Sequence, residues 1–141
     1  MTLKRWIVNI ALFAILIVTI HTQIDFSEAQ KNIVIINSYH HGLSWTDDST
    51  KAEIETIKSG YPHDVKFYVE YMDWKEHPTE ETLKLFEELL ATKYKNMTID
   101  LIIASDDAAF EFILKHRENL FGDVPLIFHG ISEASYSNLV S

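Results

Sequence analysis

The sequence predicts an α/β protein built on a doubly wound, all-parallel sheet of strand order 2-1-3-4, and three observations predict it. Short apolar runs rich in β-branched residues recur at Ile33–Ile36, Ile99–Ala104 and Val124–Phe128. Each is followed by a turn and then by residues with polar or helical apolar spacing. A fourth run, Asp64 to Asp73, alternates apolar and polar residues instead. Strand and helix signals in strict alternation imply parallel pairing with right-handed crossovers.

KNIVIIN (Lys31 to Asn37) is nearly continuous in apolar residues, as a strand buried on both faces is. Ser38 to Gly42 forms a turn. Ser44 is then placed to cap a helix, with Asp47 three residues on, and the helix runs to about Ser59. Trp45, Ala52 and Ile57 are its expected inner stripe, and Gly60-Tyr61-Pro62 ends it. In DVKFYVEYMD, Val65, Phe67, Val69 and Tyr71 alternate with Lys66, Tyr68, Glu70 and Met72, the pattern of an edge strand with one wetter face. Pro78 is expected at the first position of a second helix, with Glu80 and Glu81 in its electropositive first turn and Lys93 and Lys95 near its end. Leu83, Phe86 and Leu90 supply its stripe, widened by Leu89.

IDLIIA (Ile99 to Ala104) is the next buried strand. Ser105 follows as a cap, and Asp106 and Asp107 open a third helix with Phe110, Ile113 and Leu114 inside. Lys115, His116 and Arg117 close it. VPLIF is the fourth strand, with Pro125 tolerated near its start, and His129-Gly130-Ile131 the turn beyond. Two runs apolar throughout belong in the centre of the sheet and the alternating run at an edge, which gives the order stated above. Ser132 to Ser141 is polar and begins a further helix. A doubly wound lobe normally continues past this point, so the sequence reads as an incomplete lobe, or as a truncated product without function.

Residues 1–29 form a separate segment. Lys4 and Arg5 precede a fifteen-residue run, Trp6 to Ile20, broken only by Asn9 and Thr19. That run is short against the roughly 20 residues that span a bilayer, and Ser27-Glu28-Ala29 offers small residues at −3 and −1 of a cleavage site. A cleaved signal peptide and an uncleaved membrane anchor both fit. Either places residues 31–141 on the periplasmic or extracellular side of the cytoplasmic membrane.

A chain of 141 residues with a net charge of −9 and no cysteine excludes several function classes. The acidic balance argues against nucleic acid as a partner. Lack of cysteine removes disulfides, thiolate nucleophiles and thiolate zinc sites. The turn NSYHHGLSW has a single glycine, so no phosphate-cradling GxGxxG or GxxxxGK[ST] is present, and no GxSxG elbow appears anywhere. No cofactor is implied. His40, His41, Asp106, Asp107 and His129 fall on one edge, but without the spacing of a metal site.

Open parallel sheets bind ligands at the carboxyl ends of their strands, near the point where strand order reverses. That edge gathers Asn37 to His41, Tyr71 to Trp74, Ser105 to Asp107, and His129 with Gly130: hydrogen-bonding and aromatic groups suited to a small polar molecule. Ordinary structural roles compete for several of them. Ser105, Asp106 and Asp107 can simply start a helix, Tyr39 and His40 can pack their turn, and Trp74 can be a packing residue.

The segments IVIINSYHHGLSWTDD, FYVEYMDWKEHP, DLIIASDDAAFEFILKHRENLF and VPLIFHGI together resemble the first lobe of the ABC-transporter substrate-binding-protein-like family with the type I periplasmic-binding fold. The resemblance covers roughly Lys31 to Ile131. It implies solute recognition in a cleft between two lobes, with Ser38, Tyr39, His40, Asp73, Ser105, Asp106, Asp107 and Gly130 at the contact positions and a second lobe absent from this chain. It also implies two outlets. One is the sensor region of a membrane histidine kinase or diguanylate cyclase; the other is the receptor of an ABC permease. An uncleaved first helix favours the former. From a different class, an exported hydrolase using His40 or His129 with Asp106 is the alternative.

Overall fold

The computed structural model describes residues 29–140, with side chains through Ser137. The apolar segment expected to direct export lies outside the described residues. Among those described, no helix is long and apolar enough to cross a membrane.

Four strands, β1 (Lys31–Asn37), β2 (Val65–Tyr71), β3 (Leu101–Ser105) and β4 (Leu126–His129), alternate with helices α1 (Ser44–Gly60), α2 (Glu80–Tyr94), α3 (Asp106–Phe121) and α4 (Glu133–Val140). The sheet has the order β2-β1-β3-β4 and every pairing is parallel, as the sequence predicts. β1 and β3 are central and the alternating strand β2 is at an edge.

Strand alternation sends successive side chains to opposite faces. Val34 and Ile36 of β1, with Ile102 and Ala104 of β3, meet Phe86, Leu90 and Tyr94 of α2 and Phe110 and Ile113 of α3. This is the larger core, and each fully buried aliphatic or aromatic side chain in it contributes roughly 1.5–3 kcal/mol. On the other face Ile33, Ile35 and Ile103 are covered by Ile54 and Ile57 of α1. α1 therefore lies alone on one face, opposite α2 and α3. β4 is left bare there, and Ile127 is 53 % exposed.

The element ends differ from the sequence expectation in ways that have causes. Leu43, not Ser44, is the N-cap of α1 and makes no side-chain cap bond. Asp47 instead reaches back to accept from Gly42 N at 3.1 and 3.2 Å. Thr79 caps α2, its Oγ1 accepting from Thr82 N at 3.1 Å, so Pro78 lies just outside the helix. α3 continues past the basic residues to Phe121 because Gly122, at φ 77, supplies its left-handed end. The wet face of β2 is drier than alternation implies. Glu70 is buried, accepting from Tyr94 Oη and from Lys93 Nζ of α2.

Candidate functional site

The last rung of the sheet is polar on the α1 face. Asn37 pairs in register with Tyr71 on one side and Ser105 on the other, and Ser105 pairs with His129. Neighbours in register project to the same face, so one row of hydrogen-bonding side chains crosses all four strands. α1 faces this row with Thr46, Thr50 and Glu53 at helical spacing, and Thr46 and Thr50 are buried. Trp45 and Ala52, expected inside, are exposed, whereas Ile57 does pack inward. The periodicity of apolar residues does not locate this face, because its first half is polar.

Several bonds tie the two layers. Thr50 Oγ1 donates to Asn37 Oδ1 at 3.3 Å, and Ser105 Oγ donates to Glu53 Oε1 at 3.2 Å. His129 Nε2 lies 2.9 Å from Ser105 Oγ and also contacts Glu53 Oε1. A serine, an imidazole and a carboxylate thus meet, but Ser105 and Glu53 share the same ring nitrogen. A catalytic triad needs the carboxylate on the opposite nitrogen, where it orients the base. The cluster brackets α1 to the ends of β3 and β4. Beside it, a crevice of about 400 Å³ opens between Ser49, Ala52, Thr56 and Ile127.

The predicted contact residues take distinct positions around this rung. Ser38 is buried and committed internally: its Oγ donates to Ser105 O at 2.8 Å and accepts from Ala109 N at 2.8 Å, locking the first turn to the start of α3. Asp107 Oδ1 accepts from Ser132 N at 2.7 Å and so holds the turn after β4; this bond keeps its carboxyl below the usual aspartate range. His40 Nδ1 lies 2.9 Å from His41 O at the outer side of the turn. His41 leans toward Tyr71 and Asp47, 5.7 Å between ring centroids in the first case and 3.6 Å in the second.

Tyr39, Asp73, Asp106 and Gly130 present more open chemistry. Asp106 is the first residue of α3, only 8 % exposed, with φ 69. Burial pushes its carboxyl above the usual range, opposed by its bond to Trp45 and by the nearby His129. Both carboxylate oxygens lie 3.2 Å from Trp45 Nε1. Gly130, at φ 69, passes so close that a Cβ there would sit 2.6 Å from Asp106 Oδ1. The Tyr39 phenol is raised by burial and then by the negative charges of Asp106 and Asp107. Asp73 is also left-handed, at φ 54, between two bonds that zip the neighbouring turns: Met72 N to Asn37 O at 2.9 Å and Trp74 N to Ser38 O at 2.9 Å. Its Oδ1 is buried without a hydrogen-bond partner.

The two left-handed aspartates follow the ends of β2 and β3, the strands on either side of β1, and such backbone costs roughly 1–2 kcal/mol each. Trp45, Thr46, Thr50 and Glu53 belong to the same edge and were not among the sequence candidates. The signal available for the threonines and the glutamate was their i, i+4, i+7 spacing opposite three polar strand ends. The five groups weighed as metal ligands do not assemble, and no cluster of three or more His, Asp or Glu suited to a metal ion occurs among the described residues. No family model, no curated protein and no solved structure matches this chain.

Proposed function

We propose that residues 31–141 are the first lobe of an extracytoplasmic solute receptor, the sensor region of a membrane signalling protein of the histidine kinase or diguanylate cyclase type. The observation that carries this reading is the pair of left-handed aspartates flanking the end of β1, Asp106 at the reversal of strand order and Asp73 on the other side. Asp106 is a desolvated carboxylate with one donor for two oxygens, and Asp73 keeps a buried oxygen without any. Acceptors held in this way are suited to a small molecule's donors. A basic, apolar leader ahead of β1 supports placement outside the cytoplasm. The resemblance to the ABC-transporter substrate-binding-protein-like family supports the same reading and leaves a permease receptor as the other outlet. A single lobe covers a ligand on one side, so its affinity is expected to be modest until a second lobe closes.

An exported hydrolase using His40 or His129 with Asp106 has less support, because His129 Nε2 meets Ser105 and Glu53, His40 Nδ1 meets His41 O, and the Asp106 oxygens meet Trp45. The test has two arms. A reporter active only outside the cytoplasm, fused after Val140, should be active. Calorimetric titration of the full chain with neutral, cationic, anionic and zwitterionic solutes should give saturable heat for at least one class, lost in Asp73→Ala. An inactive reporter, or flat titrations with every class, overturns the proposal.

A further inference from the structure

Resting on the proposal that this rim binds a solute, we infer that the solute carries a quaternary ammonium, seated against the Trp45 ring and the Asp106 carboxylate. A first-turn aspartate ordinarily turns its oxygens to the helix N–H groups. Asp106 does not. α3 has no side-chain cap bond at its N-cap, and the Asp106 oxygens turn sideways to the Trp45 indole N–H, 3.2 Å from each. The N–H lies in the ring plane, so the indole meets the carboxylate edge-on and its faces stay clear of that bond. The residue is 55 % exposed, although it is the largest side chain of α1.

One donor shared by two oxygens leaves a carboxylate's remaining lone pairs unfilled in a place shielded from water. Burial raises the Asp106 carboxyl, offset in part by the Trp45 bond and by nearby His129. Gly130 lets the chain after β4 pass close to Oδ1, since any side chain at that position would begin 2.6 Å from it. The second aspartate of the rim, Asp73, adds a buried oxygen with no partner on the far side of the Ser38–Tyr39 turn. Lys75 is the only lysine or arginine among the strand-to-helix turns and the first four residues of each helix, and the basic groups beside the two carboxylates are imidazoles, His77 at 3.6 Å from Asp73 Oδ2 and His129 near Asp106.

A carboxylate beside an exposed indole face is the pairing that selects alkylammonium groups, through charge and through the ring's negative face together. An anionic solute would meet repulsion from Asp73, Asp106 and Asp107. A neutral polyol could donate to Asp106 but would leave its charge uncompensated.

The probe is tetramethylammonium chloride, titrated calorimetrically into the full chain at constant ionic strength, beside sorbitol, succinate and glycine. Saturable binding of tetramethylammonium is expected, weakened by about tenfold or more in Asp106→Asn and in Trp45→Leu. Asn tolerates the left-handed backbone at this position, so the Asp106→Asn protein should fold, as its circular dichroism and thermal midpoint would verify. Saturation by sorbitol, succinate or glycine but not by tetramethylammonium overturns the inference and leaves solute recognition standing. Tetramethylammonium binding that is unchanged in both variants also overturns it. Silence from all four solutes overturns it and counts against the recognition proposal as well.

Discussion

Replacing Gly130 with alanine should destabilise the fold through two separable effects. The first is backbone: Gly130 sits at φ 69, and a residue with a Cβ there costs about 1–2 kcal/mol. The second is contact. The new Cβ would stand 2.6 Å from Asp106 Oδ1 and 3.3 Å from its Cγ, so the carboxylate must move. Its movement stretches or breaks the Trp45 bond, and a hydrogen bond to a charged group is worth roughly 1.5–3 kcal/mol. Partial relaxation brings the total to about 2–4 kcal/mol. With a urea m-value near 1.5 kcal/mol/M, the midpoint should fall by about 1.3–2.7 M. Repeating the substitution in an Asp106→Gly background removes the contact and keeps the backbone cost, so the loss there should shrink to about 1–2 kcal/mol. An equal loss in both backgrounds, or a loss under about 0.5 kcal/mol in the parent, would refute the close approach of Gly130 to Asp106.

Three further outcomes follow from the same geometry. Tyr94→Phe removes a hydroxyl that donates to the buried Glu70 carboxylate, leaving Lys93 as its partner, and should cost about 1–3 kcal/mol in urea unfolding; a neutral result would mean that Glu70 is hydrated. Ser38→Ala leaves the Ala109 N–H without its acceptor inside the protein and should also cost about 1–3 kcal/mol, with loss of the protected Ala109 amide in hydrogen exchange. Asp100 is held below the ordinary aspartate value, first by the N–H of Asn32 and then by Lys31. A lowered folded-state pKa means its stabilisation is present above about pH 3.9 and is lost as pH falls through the depressed value. Asp100→Asn should therefore flatten the acid limb of the stability profile, and an unchanged limb would contradict the assignment.

Strand identity and order were legible in the sequence because β-branched runs such as Ile33–Ile36 and Leu101–Ile103 can be nothing but buried strand at that length, and because one run alternated. The rim's position followed from that order, which is why Asp73, Asp106 and Gly130 could be placed at the strand ends without any motif. What the sequence concealed is which bonds each side chain makes. Ser38 and Asp107 turn inward to hold turns together. Trp45, a bulky residue that hydropathy sends inside, is held out by its N–H. The misplaced stripe of α1 has the same origin: apolar spacing finds apolar faces, whereas Thr46, Thr50 and Glu53 are buried against Asn37, Ser105 and His129. A difference of a residue or two at the caps of α1 and α2 arises because Leu43 and Thr79 have the extended backbone a cap requires.

The two halves of α1 are attached to the sheet by different forces, and the difference connects the rim to the rest of the lobe. Ile54 and Ile57 rest on Ile33, Ile35 and Ile103, a contact that water cannot replace. Nearer the rim the attachments are Thr50 to Asn37, Glu53 to Ser105 and His129, and Trp45 to Asp106. The neutral Thr50–Asn37 bond contributes only about 0.5–1.5 kcal/mol net and the bonds to the carboxylates about 1.5–3 kcal/mol, because water offers the partners much of the same. Buried atoms in this layer, Asn37 Nδ2, Thr46 Oγ1 and Glu53 Oε2, lack partners altogether. Trp45, which bonds the Asp106 carboxylate, lies in the first turn of α1. The rim end of α1 is thus held by polar bonds that water can exchange, and its far end by apolar contact that water cannot replace.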